Sequence, residues 1–245
     1  MTAPVFLVDE LPESAGPFVL EGPEGRHAVS VRRLRAGEPV ALTDGAGRGA
    51  RGTVEAAEGK DRLRVRIEEL LVEPPKQPRV TVVQALVKGD RGELAVETMT
   101  EVGVDRIVPW AASRSIAQWK AERGAKALAK WRATAREAGK QSRRLRFPEV
   151  TELHSTQQVA PLLAGAGFAA VLHEQGAAPL ASAGLPGEGE CVLVVGPEGG
   201  LAPAELETFA EAGADPYRLG RSVLRASTAG TVAAAVLLAR SGRWA

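Results

Sequence analysis

Residues 192–195, Val-Leu-Val-Val, form an apolar and mostly β-branched run with no polar break, a pattern suited to a strand buried on both faces. Gly196, Pro197, Gly199 and Gly200 end that run, and Pro203 followed by Glu205 restarts the chain as a helix over 203–212. A strand, a glycine-rich turn and a helix in that order make either a ligand-binding loop at the carboxyl edge of an α/β sheet or a plain connection. Before residue 74 the rhythm is different. Leu63-Arg-Val-Arg-Ile67 alternates apolar and basic residues, as a half-buried strand does. Short strands are predicted at 5–8, 18–20, 39–43, 52–56 and 63–71, with hairpin-turn chemistry at Asp44-Gly45-Ala46-Gly47 and one helical piece over 23–34. From residue 79 onward strands (79–87, 105–110, 169–173, 192–195, 216–219) alternate with helices (93–102, 120–141, 203–212, 226–239), which implies a mostly parallel sheet covered by helices. Pro74, Pro75 and Pro78 separate the two rhythms. Three prolines in five positions fit neither a packed helix nor a central strand, so a small β-barrel domain is expected over 1–73, a linker over 74–78 and an α/β domain over 79–245.

With 245 residues, 44% of them hydrophobic and 25% charged, the chain has the core for one large or two modest domains. It contains no apolar run long enough to span a membrane and no basic amino-terminal region ahead of an apolar stretch, so neither a membrane segment nor a secretory signal is expected and the cytoplasm is the default location. Cys191 stands alone and His27, His154 and His173 have no ligand spacing; no metal site is expected, and Cys191 reads as a buried core residue.

The net charge of +1 conceals a local surplus. Residues 114–146 hold eleven basic against two acidic side chains, a surplus of nine that attracts polyanions. Within the predicted helix, Leu128, Trp131, Ala135 and Ala138 follow three- and four-residue steps and form its apolar stripe. Lys130, Arg136, Lys140 and Arg143 are then expected largely outside that stripe. Gln141, Ser142, Arg143 and Arg144 cluster donors suited to phosphates or base edges. A second basic group, Arg26, His27, Arg32, Arg33 and Arg35, sits in the helical piece near the amino terminus, where it either contacts a phosphate backbone or decorates a solvated helix. Near the carboxyl terminus Gly220 marks a strand end, and Ser227 or Thr228 is expected to cap the last helix.

Taken together, Gly196-Pro-Glu-Gly-Gly-Leu201, Leu219-Gly220 with Val223-Leu224-Arg225, and Thr228-Ala229 resemble the signature of the SPOUT methyltransferase superfamily. Within it the chain is most similar to the ribosomal RNA small-subunit methyltransferase E family, with further likeness in Glu97-Thr-Met-Thr-Glu-Val-Gly-Val104 and Glu137-Ala-Gly-Lys-Gln-Ser-Arg-Arg144. The resemblance covers essentially the whole chain. It implies a PUA-like RNA-binding barrel before a SPOUT-type knotted parallel-sheet domain, a homodimer, and methylation of a uridine N3 in the 16S RNA of the small ribosomal subunit. It also implies that S-adenosylmethionine is held by Leu172, His173 and Glu174, by Gly196, Pro197, Glu198, Gly199, Gly200 and Leu201, and by Leu219, Gly220, Val223, Leu224 and Arg225. One departure is Ser227, where the family more often has Glu.

Methyl transfer to N3 requires loss of the N3 proton, and negative charge spreads to the flanking carbonyl oxygens, where a positioned cation stabilises it. Arg225 is the first candidate cation, with Arg114 and Arg143 next, although all three also suit phosphates. Glu198 is expected to brace its turn by accepting backbone hydrogen bonds rather than to act as a base. RNA contacts are expected from Arg26, His27, Arg32, Arg33, Arg136, Lys140, Gln141, Arg143 and Arg144. A SPOUT enzyme methylating a ribose 2′-hydroxyl and a non-catalytic RNA-binding protein of the same fold remain open. A nucleotide phosphohydrolase is disfavoured because the glycine loop lacks the Gly-Lys-Ser/Thr ending.

Overall fold

The computed structural model describes residues 3–244. The chain forms two compact units, Met1–Pro75 with Gly139–Phe147, and Lys76–Ala138 with Pro148–Ala245.

In the first unit β1 (Val5–Leu7), β2 (Gly16–Leu20), β3 (Pro39–Thr43), β4 (Arg48–Glu58) and β5 (Arg62–Val72) make a mixed sheet in the order β1-β3-β4-β5-β2. The alternation in β5 sorts as its pattern demands. Leu63, Val65 and Ile67 are buried with Phe6, Leu20, Val40, Leu42 and Val54, while Arg66 faces outward and pairs with Glu55 on β4 at 2.5 Å, a cross-strand pair on the wet face of the sheet. The helical piece is a short α1 (Gly22–Arg26) running straight into one π-helical turn, His27–Val31.

The first unit also takes in 139–147, which the cut at the prolines assigns to the second domain. Gly47 N donates to the Leu145 carbonyl at 2.9 Å and Phe147 N to the Gly45 carbonyl at 2.8 Å, and the Thr43 hydroxyl donates to the Leu145 carbonyl at 3.1 Å. The turn between β3 and β4 leaves backbone groups without ladder partners, and this distant segment supplies them. The many arginines around Leu145 and Phe147 hide that role in the sequence.

The second unit is a seven-stranded, wholly parallel sheet built from β6 (Arg79–Ala85), β7 (Arg106–Trp110), β8 (Glu149–Val150), β9 (Phe168–Leu172), β10 (Ala178–Pro179), β11 (Glu190–Val195) and β12 (Asp215–Arg218), in the order β10-β12-β9-β11-β6-β7-β8. The helices are α2 (Arg91–Val102), α3 (Ala121–Gln141, whose last turn lies in the first unit), α4 (Thr156–Ala164), α5 (Pro203–Glu211) and α6 (Ala226–Arg240). The unbroken apolar run of β11 is explained by burial on both faces. Cys191, Leu193 and Val195 pack with Val80, Val82 and α6, whereas Val192 and Val194 pack with Val83, Val108, Trp110 and Phe209. At Gly230 a Cβ would stand 3.0 Å from Met99 Sδ and 3.2 Å from Val82, so the alanine-rich α6 approaches the sheet as closely as a glycine allows. On α3, Leu128, Trp131, Ala135 and Ala138 are buried, as the stripe requires. Burial also raises the Cys191 thiol to about 11, with Glu190 adding to the effect. The short β8, β10 and α4 have no counterpart in the periodicity. For α4 a signal existed in Ser155-x-x-Gln158: Ser155 N donates to Gln158 Oε1 at 2.9 Å, half of a capping box.

Candidate active site

The strands β12, β9 and β11 are neighbours, all parallel, with Tyr217 opposite Leu172 and Val194 opposite Val171. Their carboxyl ends therefore lie on one sheet edge, and the turns beginning at Leu172, Gly196 and Leu219 leave it side by side. Every residue expected to hold the cofactor lies on one of these turns. His173 N donates to the Tyr217 carbonyl at 2.9 Å, and the His173 ring nitrogen Nδ1 accepts from Gln175 N at 3.1 Å, so that side chain braces its own turn. Leu172 and Leu219 are half-buried against the core and Leu201 is buried, while Val223 and Leu224 are exposed. At Gly220 nothing stands within 4 Å of where a Cβ would be. Apolar walls beside bare backbone are a donor set that fits S-adenosylmethionine.

The glycine turn is held from two sides. Gly200 adopts φ +71°, a left-handed conformation natural to glycine, and its N–H donates to the Pro197 carbonyl at 2.9 Å. Arg114 Nη1 donates to the Leu201 carbonyl at 3.1 Å and the Gly199 carbonyl at 3.4 Å. A Cβ on Gly199 would lie 3.0 Å from the Arg114 carbonyl oxygen. The buried Glu205 ties the same segments together, accepting from Ala202 N at 2.9 Å and Ser113 N at 2.7 Å. Glu205 reads in the sequence only as an acid at a helix start; its link to Ser113 needs the fold. Arg114, a candidate catalytic cation, thus has its guanidinium engaged by the loop. Glu198, expected to brace the turn, forms no hydrogen bond among the described residues and is exposed.

An open cleft of about 830 Å³ adjoins this turn, lined by Lys88, Gly89, Asp90, Arg91, Leu94, Ile116, Glu198 and Arg225. It brings Glu198 and Arg225 together. Lys88 and Arg91 escaped the sequence reading, yet they follow β6, which is parallel to and paired with β11, so their loop leaves the same edge. Gly89, one of several glycines that follow strands, was the available signal. Arg225 is the residue at the start of α6. Its carbonyl accepts from Thr228 N and Ala229 N, both at 2.9 Å, and from the Thr228 hydroxyl at 3.2 Å. Neither Ser227, which is buried, nor Thr228 therefore caps the helix as expected: both lie past its start, inside the first turn.

The basic residues divide between the two units. In the first, a smaller pocket of about 80 Å³ is lined by Phe6, His27, Arg32, Lys140, Gln141 and Arg143 among others. Lys140 departs from the expected exposed face. It is buried and pairs with Glu24 at 2.7 Å, because a buried ammonium needs a counter-charge. Arg143 follows α3 in a left-handed conformation, φ +57°. Its N–H donates to the Lys140 carbonyl at 3.1 Å, and Arg144 N donates to the Gly139 carbonyl at 3.0 Å, a Schellman ending with arginine where glycine is usual. Arg33 is also left-handed, φ +55°. Arg26, Arg32 and Arg33 are exposed and Arg144 is half-buried; Arg136, in the second unit, is exposed. Part of the charge surplus is spent internally. Lys126 pairs with Glu122 at 2.8 Å, Lys130 with Glu93 at 3.0 Å, Arg132 with Glu152 at 2.8 Å, and Arg146 donates to the Glu73 carbonyl at 2.9 Å. Glu93 keeps the Lys130 ammonium above its ordinary value by hydrogen bond and charge. Among the described residues no group of side chains has the make-up of a metal site, and no helix is long and apolar enough to cross a membrane.

Residues 74–238 match the RNA methyltransferase domain family and residues 20–68 the RNA methyltransferase PUA domain family. The ribosomal RNA small subunit methyltransferase E of Mycobacterium bovis is 45% identical over 100% of this chain and 94% of its own length; the Bacillus subtilis protein of the same name is 31% identical over 89% and 88%. The crystal structure of the Neisseria gonorrhoeae enzyme of that name, bound to S-adenosyl methionine, superposes with a TM-score of 0.85 at 27% identity, covering 98% of both chains. With both domains matched and relatives aligned along its length, the chain belongs to the ribosomal RNA small subunit methyltransferase E family.

Proposed function

We propose that this enzyme methylates N3 of a uridine in 16S ribosomal RNA, with S-adenosylmethionine held by the three turns at the sheet edge. The observation that carries the reading is the adjacency of β12, β9 and β11, which puts all three turns at one place. When bound, the cofactor supplies an electrophilic methyl group on a sulfonium. The protein's part is to orient and to stabilise charge. Leu172, Leu201, Leu219 and Leu224 wall the adenine and thioether, and backbone groups of residues 172–174, 196–201 and 219–225 read polar edges. Arg225 stabilises the charge that spreads over the uracil carbonyls. Arg114 serves by holding the glycine turn, and Arg143, in the other unit, serves RNA binding with Arg26, His27, Arg32, Arg33, Arg136, Gln141 and Arg144. Lys140 fixes the basic pocket through Glu24 rather than meeting a phosphate itself. The working form is a homodimer in the cytoplasm, where ribosomal RNA is found; exposed Val223 and Val232 provide apolar surface for association.

Incubation with labelled S-adenosylmethionine and small subunits lacking the modification, followed by nucleoside mass spectrometry, is expected to yield N3-methyluridine in 16S RNA. A 2′-O-methylated product, or no transfer with intact subunits, overturns the reading.

A further inference from the structure

We infer that the cleft between the glycine turn and the loop after β6 receives the acceptor uracil, and that Glu198 takes its N3 proton. The inference rests on the methyltransferase reading above. Among the side chains lining the cleft, Glu198 is the carboxylate left without work. Asp90 meets the ammonium of Lys130 at 3.6 Å, whereas Glu198 forms no hydrogen bond or ion pair among the described residues, since the Gly200 N–H and the Arg114 guanidinium already hold the turn. It belongs to the turn assigned to the methyl donor, so a base seated in the cleft lies beside that donor. The rest of the lining suits a pyrimidine on an RNA strand. Exposed Leu94 and Ile116 offer apolar surface to a ring face, and Lys88, Arg91 and Arg225, which form no ion pairs among the described residues, offer positive charge to phosphate and to the uracil oxygens.

The chemistry balances. The N3–H bond breaks with its proton passing to the Glu198 carboxylate, the freed N3 pair forms the bond to the methyl carbon, and the carbon–sulfur pair returns to sulfur as a neutral thioether. The N3–H becomes steeply more acidic as the new bond forms, so the proton passes to the carboxylate during transfer rather than before it.

Glu198→Gln keeps size and hydrogen bonding but cannot take the proton. Its kcat on small subunits near neutral pH is expected to fall by about 100-fold or more, within the usual range for one acid–base group. Its affinity for S-adenosylmethionine, read by calorimetry on the protein alone, is expected to stay as in the unsubstituted protein. The defect is expected to narrow as pH rises toward ionisation of uridine N3, because the substrate then arrives without the proton. Glu198→Ala is expected to behave in the same way. Unchanged kcat in both variants, a defect of equal size at every pH, or cofactor affinity falling as far as kcat overturns the inference. The product made by the unsubstituted enzyme tests the underlying reading separately: N3-methyluridine with an unaffected Glu198→Gln removes Glu198 alone, and a ribose-methylated product removes the reading itself.

Discussion

The proposed cofactor edge of the second unit and the basic pocket of the first are assembled by opposite means. At the sheet edge, each functional turn directly follows its own strand, and parallel pairing of neighbours brings the turns together. In the basic pocket, His27 and Arg32 meet Gln141 and Arg143 from remote stretches of chain, and the join depends on backbone bonds from Gly45 and Gly47 to the 145–147 segment. The first arrangement follows from strand order; the second follows from a segment that crosses from one unit to the other in sequence. Damage to the two sites is therefore expected to be separable.

The largest separation is expected from Gly199→Val. A Cβ here already stands 3.0 Å from the Arg114 carbonyl oxygen and 3.2 Å from its Cβ, so a branched side chain must push the turn away from the residue that holds it. Overpacking of this kind costs about 1–3 kcal/mol. Because the strain falls on the turn, calorimetry should show affinity for S-adenosylmethionine reduced by about 5- to 150-fold, with RNA affinity retained. Cofactor affinity close to that of the unsubstituted protein would remove the turn from the site.

A smaller effect, with opposite signs on binding and stability, is expected from Arg143→Gly. Arginine at φ +57° carries a penalty of about 1 kcal/mol that glycine avoids, so the variant should be as stable as the parent or more so in chemical denaturation. Its RNA affinity should nevertheless fall, and the salt dependence of binding should weaken by about one phosphate contact. Arg132→Ala is the control. That guanidinium is held by Glu152 and by the Val150 carbonyl at 3.1 Å, and its loss should leave the salt slope alone. Equal slopes for all three proteins would take the pocket out of the RNA interface.

This contrast also explains what was legible in the sequence. Strands that end in glycine turns carry their chemistry within a few residues, so 196–201 and 219–225 can be read before any tertiary structure is known. Burial of β11 on both faces is equally visible in its unbroken apolar run. Lys140 was misjudged because a count of charge says nothing of partners: it is buried and answers the half-buried Glu24, and for the same reason the count gives no sign that Arg114 holds carbonyls across the loop. Lys88 and Arg91 went unseen because only the pairing of β6 with β11 brings their loop to the site. The residue pattern carries no sign of a knot, which entered from family likeness alone.

The smallest effect uses Cys191, the one cysteine of the chain. It lies fully buried in β11, and the first unit has no thiol, so labelling reads opening of the parallel sheet alone. With the thiol raised to about 11 by burial against about 8.5 in an unfolded chain, the folded protein holds the proton more tightly between those values. The stability this represents is complete below the unfolded value and is lost as pH rises from there toward about 11. Thiol labelling at pH 8 should therefore be slow and limited by opening, and denaturation midpoints should decline modestly between pH 8 and pH 10.5. S-adenosylmethionine should slow labelling further if it binds the closed sheet edge as proposed, whereas an RNA fragment that engages only the first unit should not. Equal protection by both ligands would mean that the two sites are energetically joined, and the separation drawn from their construction would fail.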